Sequence, residues 1–172
     1  MPDAAPLRIL FATPELAPWV KSGGLGDVSA ALPAALRAEG ADVRVLVPAY
    51  PALLDAARVA RVVARIPEPG GALHGARLLF VESSLGAPLY LIDCPDYYRR
   101  AGTAYQDADG RDWDDNAMRF GLLSRVAALL AGGSSPLDWR PHVLQCHDWP
   151  AALAPAYLHH GGGVRAATVM TV

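Results

Sequence analysis

The chain has 172 residues, ample for one domain with a sizeable core, and a 52% hydrophobic content makes it globular rather than disordered. Lys and Arg number 15 against 17 Asp and Glu, a formal net charge of −2, which offers no global field for nucleic acid or an anionic membrane and leaves neither as an expected partner. Any anion site must therefore be built locally.

Taken in chain order, Leu7-Arg8-Ile9-Leu10-Phe11-Ala12 predicts a buried strand. Lys21-Ser22-Gly23-Gly24-Leu25-Gly26-Asp27 follows as a glycine-rich turn. Val28, Leu32, Ala35 and Leu36 then recur at helical spacing, which predicts a helix from about Asp27 to Glu39, kinked by Pro33 and stopped by Gly40. Asp42 to Pro48 is a second strand, so the first two strands and the helix make a unit of the length a right-handed parallel crossover needs. Val59–Ile66, Ala76–Glu82 and Pro88–Asp93 are short apolar runs separated by Pro67-Glu68-Pro69-Gly70-Gly71 and Ser83-Ser84-Leu85-Gly86. Such spacing favours a meander of strands.

Asp93 to Trp113 is polar and irregular and predicts a long loop, either functional or a solvated excursion. Asp114 to Ala131 has helical spacing, with Asp114 or Asp115 able to cap its start. His142 to Cys146 predicts a strand with His147-Asp148-Trp149 at its carboxyl end, then a helix from Ala151 to His160 and a last strand from Ala166 to Val172. The pattern is an α/β fold with a mainly parallel sheet, taken as one domain over residues 1–172. Ligands of such sheets sit beyond the carboxyl ends of the strands, so the glycine turn and the triplet His147-Asp148-Trp149 are expected to share one crevice.

Two adjacent glycines let backbone approach a ligand, and the start of a helix presents unpaired N–H groups with partial positive charge, so the turn suits an anion such as a phosphate. Lys21 adds a mobile full charge. No G-x-x-x-x-G-K-[ST] string occurs, and Gly24-Leu25-Gly26-Asp27-Val28-Ser29 falls one residue short of the dinucleotide fingerprint. A dehydrogenase would also place an acidic residue after the second strand, where this chain has Pro48-Ala49-Tyr50-Pro51. Cys94 and Cys146 have no metal-ligand spacing, so two buried thiols in a reducing, cytoplasmic compartment are expected, with no metal. The first apolar run lacks a basic leader, and no stretch has the roughly 18 apolar residues of a membrane span.

The string from Ile9 to Val28, Asp114-Asp115-Asn116-Ala117-Met118-Arg119-Phe120, and His147-Asp148-Trp149 closely resemble, in the same order, motifs of the bacterial glycogen and starch synthases. The resemblance covers essentially the whole chain. It implies a Rossmann-like domain with helices on both faces, the amino-terminal half of a two-domain GT-B glycosyltransferase that extends an α-1,4-glucan such as glycogen from ADP-glucose with retention, needing no cofactor. By the same resemblance Lys21, Gly23, Gly24 and Tyr105 lie at the donor's phosphates and sugar, and Asp148 lies in the catalytic cleft. Glu15, Asn116 and His147 are placed on the glucan side. Asp27 either caps the helix or contacts the ligand. Pro150 stands where the family usually has His or Gln, and the family's carboxy-terminal nucleotide-binding domain is absent, so the chain alone is expected to be inactive. The alternative is a stand-alone module binding a nucleotide or a glucan without chemistry.

Overall fold

Strand β1 (Arg8–Ala12) is apolar on both sides from Ile9 onward, which suits a strand covered on both faces, and Leu10, Phe11 and Ala12 have no exposed surface. The computed structural model describes residues 5–57, 59–68, 73–82, 86–163 and 165–172. After β1 come α1 (Gly24–Ala38), β2 (Asp42–Pro48), α2 (Pro51–Ala56), β3 (Arg61–Ile66), β4 (Ala76–Val81) and β5 (Leu89–Asp93). Then follow α3 (Pro95–Tyr98), α4 (Asn116–Ala131), β6 (Val143–His147), a 3₁₀ turn (Trp149–Ala151), α5 (Ala154–His160) and β7 (Ala167–Thr171).

These strands form one sheet in the order β3-β4-β5-β2-β1-β6-β7. β5, β2, β1, β6 and β7 are parallel, while β4 runs antiparallel to both β3 and β5. The expected meander is thus one flank of a parallel sheet; its two turns at 69–72 and 83–85 lie outside the described residues. From β1 to β2 the chain steps one way across the sheet, and from β5 to β6 and β6 to β7 it steps the other way. Right-handed crossovers then place α1 on one face and α4 with α5 on the opposite face. This is the Rossmann-like arrangement with helices on both faces.

Several boundaries differ from the sequence reading, each for a local reason. α1 starts at Gly24 rather than near Asp27, because the glycines of the turn join its first turn, and it continues through Pro33. Asp27 therefore does not cap the helix; Gly23 holds the cap position and no side chain bonds there. α4 starts at Asn116, and Asp115 at its cap position makes no capping bond because its carboxylate takes the Arg100 guanidinium at 2.6 and 2.9 Å. The helix expected from Ala151 to His160 splits: Pro155 has no N–H to continue the turn begun at Trp149, so α5 opens afresh with that proline in its first turn. Periodicity missed α2 and α3, which are too short to show it; each opens on a proline, Pro51 and Pro95. Cys94 and Cys146 are free and buried, and burial pushes the Cys146 thiol up to about 12.

Candidate functional site

The carboxyl end of β1 runs straight into Thr13 and Glu15, both buried although polar. Thr13 Oγ1 lies 2.8 Å from Ser29 Oγ of α1 and donates to the Glu15 carbonyl at 3.1 Å, which fixes the strand exit against the helix. Glu15 then braces the glycine turn from beneath. Its Oε2 accepts from the Ser22 N–H at 2.8 Å and the Gly23 N–H at 3.4 Å, and its Oε1 accepts from the Tyr105 hydroxyl at 2.7 Å. Burial, and then this carboxylate acceptor, raise the Tyr105 hydroxyl's pKa.

The turn's remaining amides belong to the first turn of α1, where N–H groups have no intrahelical acceptor. Gly24 has open space around it. Gly26 does not: a Cβ there would stand 3.2 Å from Glu15 Oε2 and from the Lys21 side chain. Lys21 Nζ is held by the Asp27 carboxylate at 2.6 and 2.8 Å, with both side chains roughly half exposed, so the pair is a mobile one at the rim.

Opposite the turn, β6 delivers His147 and Asp148. His147 is buried, stacked on Phe11 with ring centroids 4.0 Å apart, and its Nε2 has no partner; burial lowers its pKa to about 4. Asp148 has φ 58 and ψ 177, a combination that side-chain-bearing residues rarely adopt, and it is the only non-glycine with positive φ among the described residues. Its carboxylate accepts from the Trp149 N–H at 2.7 Å, and its own N–H bonds to Thr171 of β7 at 2.8 Å. Such strain, of order 1–3 kcal/mol, collects at functional sites.

Between these walls lies an open crevice of about 650 Å³ whose lining includes Glu15, Gly23, Gly24, Tyr105, Asn116 and Asp148. Six residues named from the sequence thus meet at one end of the sheet. Lys21 lines an adjoining cavity of about 340 Å³ instead. Neither Asp27 nor His147 reaches the larger crevice: the first is turned to Lys21, the second lies beneath its floor.

The long polar segment after β5 supplies one wall. Asn116 Nδ2 donates to the Tyr105 carbonyl at 2.8 Å, and the buried Arg119 donates to the carbonyls of Tyr97 and Ala104 at 2.9 Å and to Asn116 Oδ1 at 2.6 Å. α4 therefore holds that segment down, and Tyr105, Phe120 and Trp149 cluster with ring centroids within 6.1 Å of one another, Phe120 edge on to Trp149 and Tyr105 tilted against both. Trp149, read from the sequence as part of the triplet at this crevice, does line it, whereas sequence reasoning missed Asp112 and Trp113; for Trp113 the available signal was the aromatic content of the segment itself. Among the described residues no group of three or more His, Cys, Asp or Glu is placed to hold a metal ion. Nor is any helix long and apolar enough to cross a membrane.

The parallel sheet, its crevice at the strands' carboxyl ends and the glycine turn at a helix start define one domain of the GT-B glycosyltransferase class. A solved structure agrees: the catalytic domain of starch synthase IV from Arabidopsis thaliana, bound to ADP and acarbose, superposes with a TM-score of 0.67 at 27% identity, over 96% of this chain and 33% of that one. Residues 8–172 match the family described as the starch synthase catalytic domain, and the chain belongs to that family. It is 58% identical over 166 residues to the glycogen synthase of Dechloromonas aromatica, covering 96% of this chain and 34% of the relative. Against the glycogen synthase of Aromatoleum aromaticum it is 61% identical over 158 residues, covering 92% and 32%. The chain spans about a third of the length of the curated relatives it matches.

Proposed function

We propose that this chain is the amino-terminal, acceptor-side domain of a cytoplasmic glycogen synthase, completed by a carboxy-terminal nucleotide-binding domain. The whole protein transfers glucose from ADP-glucose to the non-reducing end of an α-1,4-glucan with retention. The observation that carries this reading is the convergence of Glu15, Gly24, Tyr105, Asn116 and Asp148 on one crevice in a chain of this family. As the glycosidic bond to the diphosphate breaks, positive charge develops on the sugar and negative charge on the leaving oxygens. The free amides of the α1 start and Lys21 answer the second, and groups aimed at developing charge do most when fixed beforehand. Fixing is what the Glu15 brace supplies. Asp148 is the candidate for the sugar's hydroxyls. No metal or organic cofactor enters the scheme.

One lysine and a helix start do not match several departing negative charges, and removing a single such donor costs about 10²- to 10³-fold in rate. The 172-residue chain alone is therefore expected to transfer no measurable glucose from ADP-glucose to glycogen, whereas the polypeptide extended to the relatives' length does. Incorporation of labelled glucose by the two purified proteins is the test. Turnover by the short chain would overturn the claim that a second domain is needed, and inactivity of the extended one would overturn the assignment.

A further inference from the structure

At the other end of the sheet, the amino-terminal ends of β1, β6 and β7 and the carboxyl end of α4 surround a second cavity, of about 630 Å³. Its polar lining is Arg8, Arg140, His142 and Arg165, with Gly132 and Gly133 leaving part of the wall free of side chains, and no Asp or Glu lines it. The position is fixed by register: Arg8 opens β1, His142 N–H bonds to the Arg8 carbonyl at 2.8 Å, and the Ala167 N–H bonds to the His142 carbonyl at 2.9 Å. β1 alone separates this end from the crevice by its five residues, on the order of 13 Å at the rise of an extended strand.

None of the three guanidinium groups is within ion-pair distance of a carboxylate among the described residues, although Arg37, Arg44, Arg77, Arg99 and Arg100 all are. Among the described residues Arg140 and Arg165 each donate only to a backbone carbonyl, of Leu137 and His159 respectively. Arg8 approaches His142 twice, its N–H at 3.2 Å from Nδ1 and its Nη2 at 3.0 Å from Nε2. A neutral imidazole accepts at only one nitrogen, so in the tautomer that serves the backbone N–H the Arg8 guanidinium has donors to give elsewhere. The carboxyl end of α4 offsets only about half an elementary charge against three full ones. In a chain of net charge −2 this is an uncompensated, concave positive site.

We propose that this cavity binds the phosphate group of a small phosphorylated metabolite. Guanidinium forks match phosphate oxygens in pairs, and three of them around one concavity satisfy a doubly charged phosphate better than a carboxylate or a neutral sugar. The volume lies in the range of roughly 300–1,000 Å³ usual for small-molecule sites. A nucleic acid would need basic surface continuing beyond the cavity, which the chain's overall charge does not supply. The proposal stands on different residues from the crevice and does not depend on the transferase reading.

The test is a titration of the 172-residue chain, labelled at arginine, followed by NMR of the side-chain Nε–H signals. Inorganic phosphate and ribose 5-phosphate are the probes, with sodium chloride at matched ionic strength as the control. Saturable shifts of Arg8, Arg140 and Arg165 are expected with both probes, ribose 5-phosphate binding more tightly than free phosphate if the cavity takes an ester. The double variant Arg140→Gln/Arg165→Gln should weaken binding about tenfold or more, and Arg165→Gln alone, at an exposed position, gives a smaller loss and serves if the double variant does not fold. Shifts equal to those of sodium chloride, or a variant titrating like the parent chain, would overturn the site. Tighter binding of a short oligonucleotide than of ribose 5-phosphate would overturn the small-molecule assignment.

Discussion

Protonating His147 would put a full charge where its Nε2 is sealed from solvent and from any partner, against the ring of Phe11. Its folded pKa of about 4 lies below the ordinary 6.5 because burial penalises the cation. The unfolded chain therefore takes up this proton first as pH falls, so the contribution is intact above about 6.5, erodes below it and levels off near 4. A gap of that size corresponds to about 3 kcal/mol at most. His147→Phe, which keeps a ring on Phe11 and removes the titration, should flatten the fall in unfolding free energy between pH 6.5 and 4 relative to the parent chain. Urea denaturation at a series of pH values checks it, and parallel curves would show that His147 does not set this loss. Glu15, placed on the glucan side by sequence, is equally a brace of the turn: three of its hydrogen bonds are internal. Asp148 carries the backbone strain of the crevice, held in place by Thr171 on β7.

The glycine turn and α1 act as one element, and Gly24 and Gly26 have different reasons to be there. Gly24 sits in the first helical turn with open space, so it serves the crevice and not the packing. Ala in a helix is favoured over Gly by up to about 1 kcal/mol, so Gly24→Ala should be at least as stable as the parent chain. Gly26 is buried, and a Cβ there meets Glu15, which three hydrogen bonds hold in place, and the stem of Lys21. Glu15 is held by its hydrogen bonds and the Lys21 contacts are to Cβ and Cγ, close to the backbone, so neither yields freely and Gly26→Ala should lose about 1–2 kcal/mol despite its better propensity. Thermal unfolding of the two variants decides it; equal melting temperatures would mean that the brace yields. The segment from Cys94 to Trp113 is an element of the same kind. Arg119 from α4 and the Arg100–Asp115 pair pin it, so it forms a wall instead of a solvated excursion.

For the molecule as a whole, the proposed function makes the crevice one side of a two-domain site. It is open, its rim lysine is already paired with Asp27, and the relatives are about three times as long. Contacts from one side only bury little of a nucleotide sugar, so ADP-glucose is expected to bind the 172-residue chain with a dissociation constant in the millimolar range or weaker. Amide shifts of Gly23, Gly24 and Leu25 during an ADP-glucose titration measure it. Micromolar binding would favour a self-sufficient binding module. At the sheet's edge all five residues of β7 are exposed, so that flank contributes little to the core.

Periodicity and punctuation determined the strands, the longer helices, the parallel core and the glycine turn, because alternation, helical spacing and Gly or Pro act over a few residues and are written in the chain itself; the family came from the resemblance of the motif strings. Tertiary structure alone decided what those residues touch. That Glu15 reaches the turn and Tyr105 at once, that Asp27 holds Lys21 instead of capping α1, and that Arg8, Arg140 and Arg165 gather at the far end of the strands depend on partners up to 157 positions apart. Such contacts follow from sheet order and register: β1 lies between β2 and β6, and no local pattern in the sequence records which strand will be its neighbour.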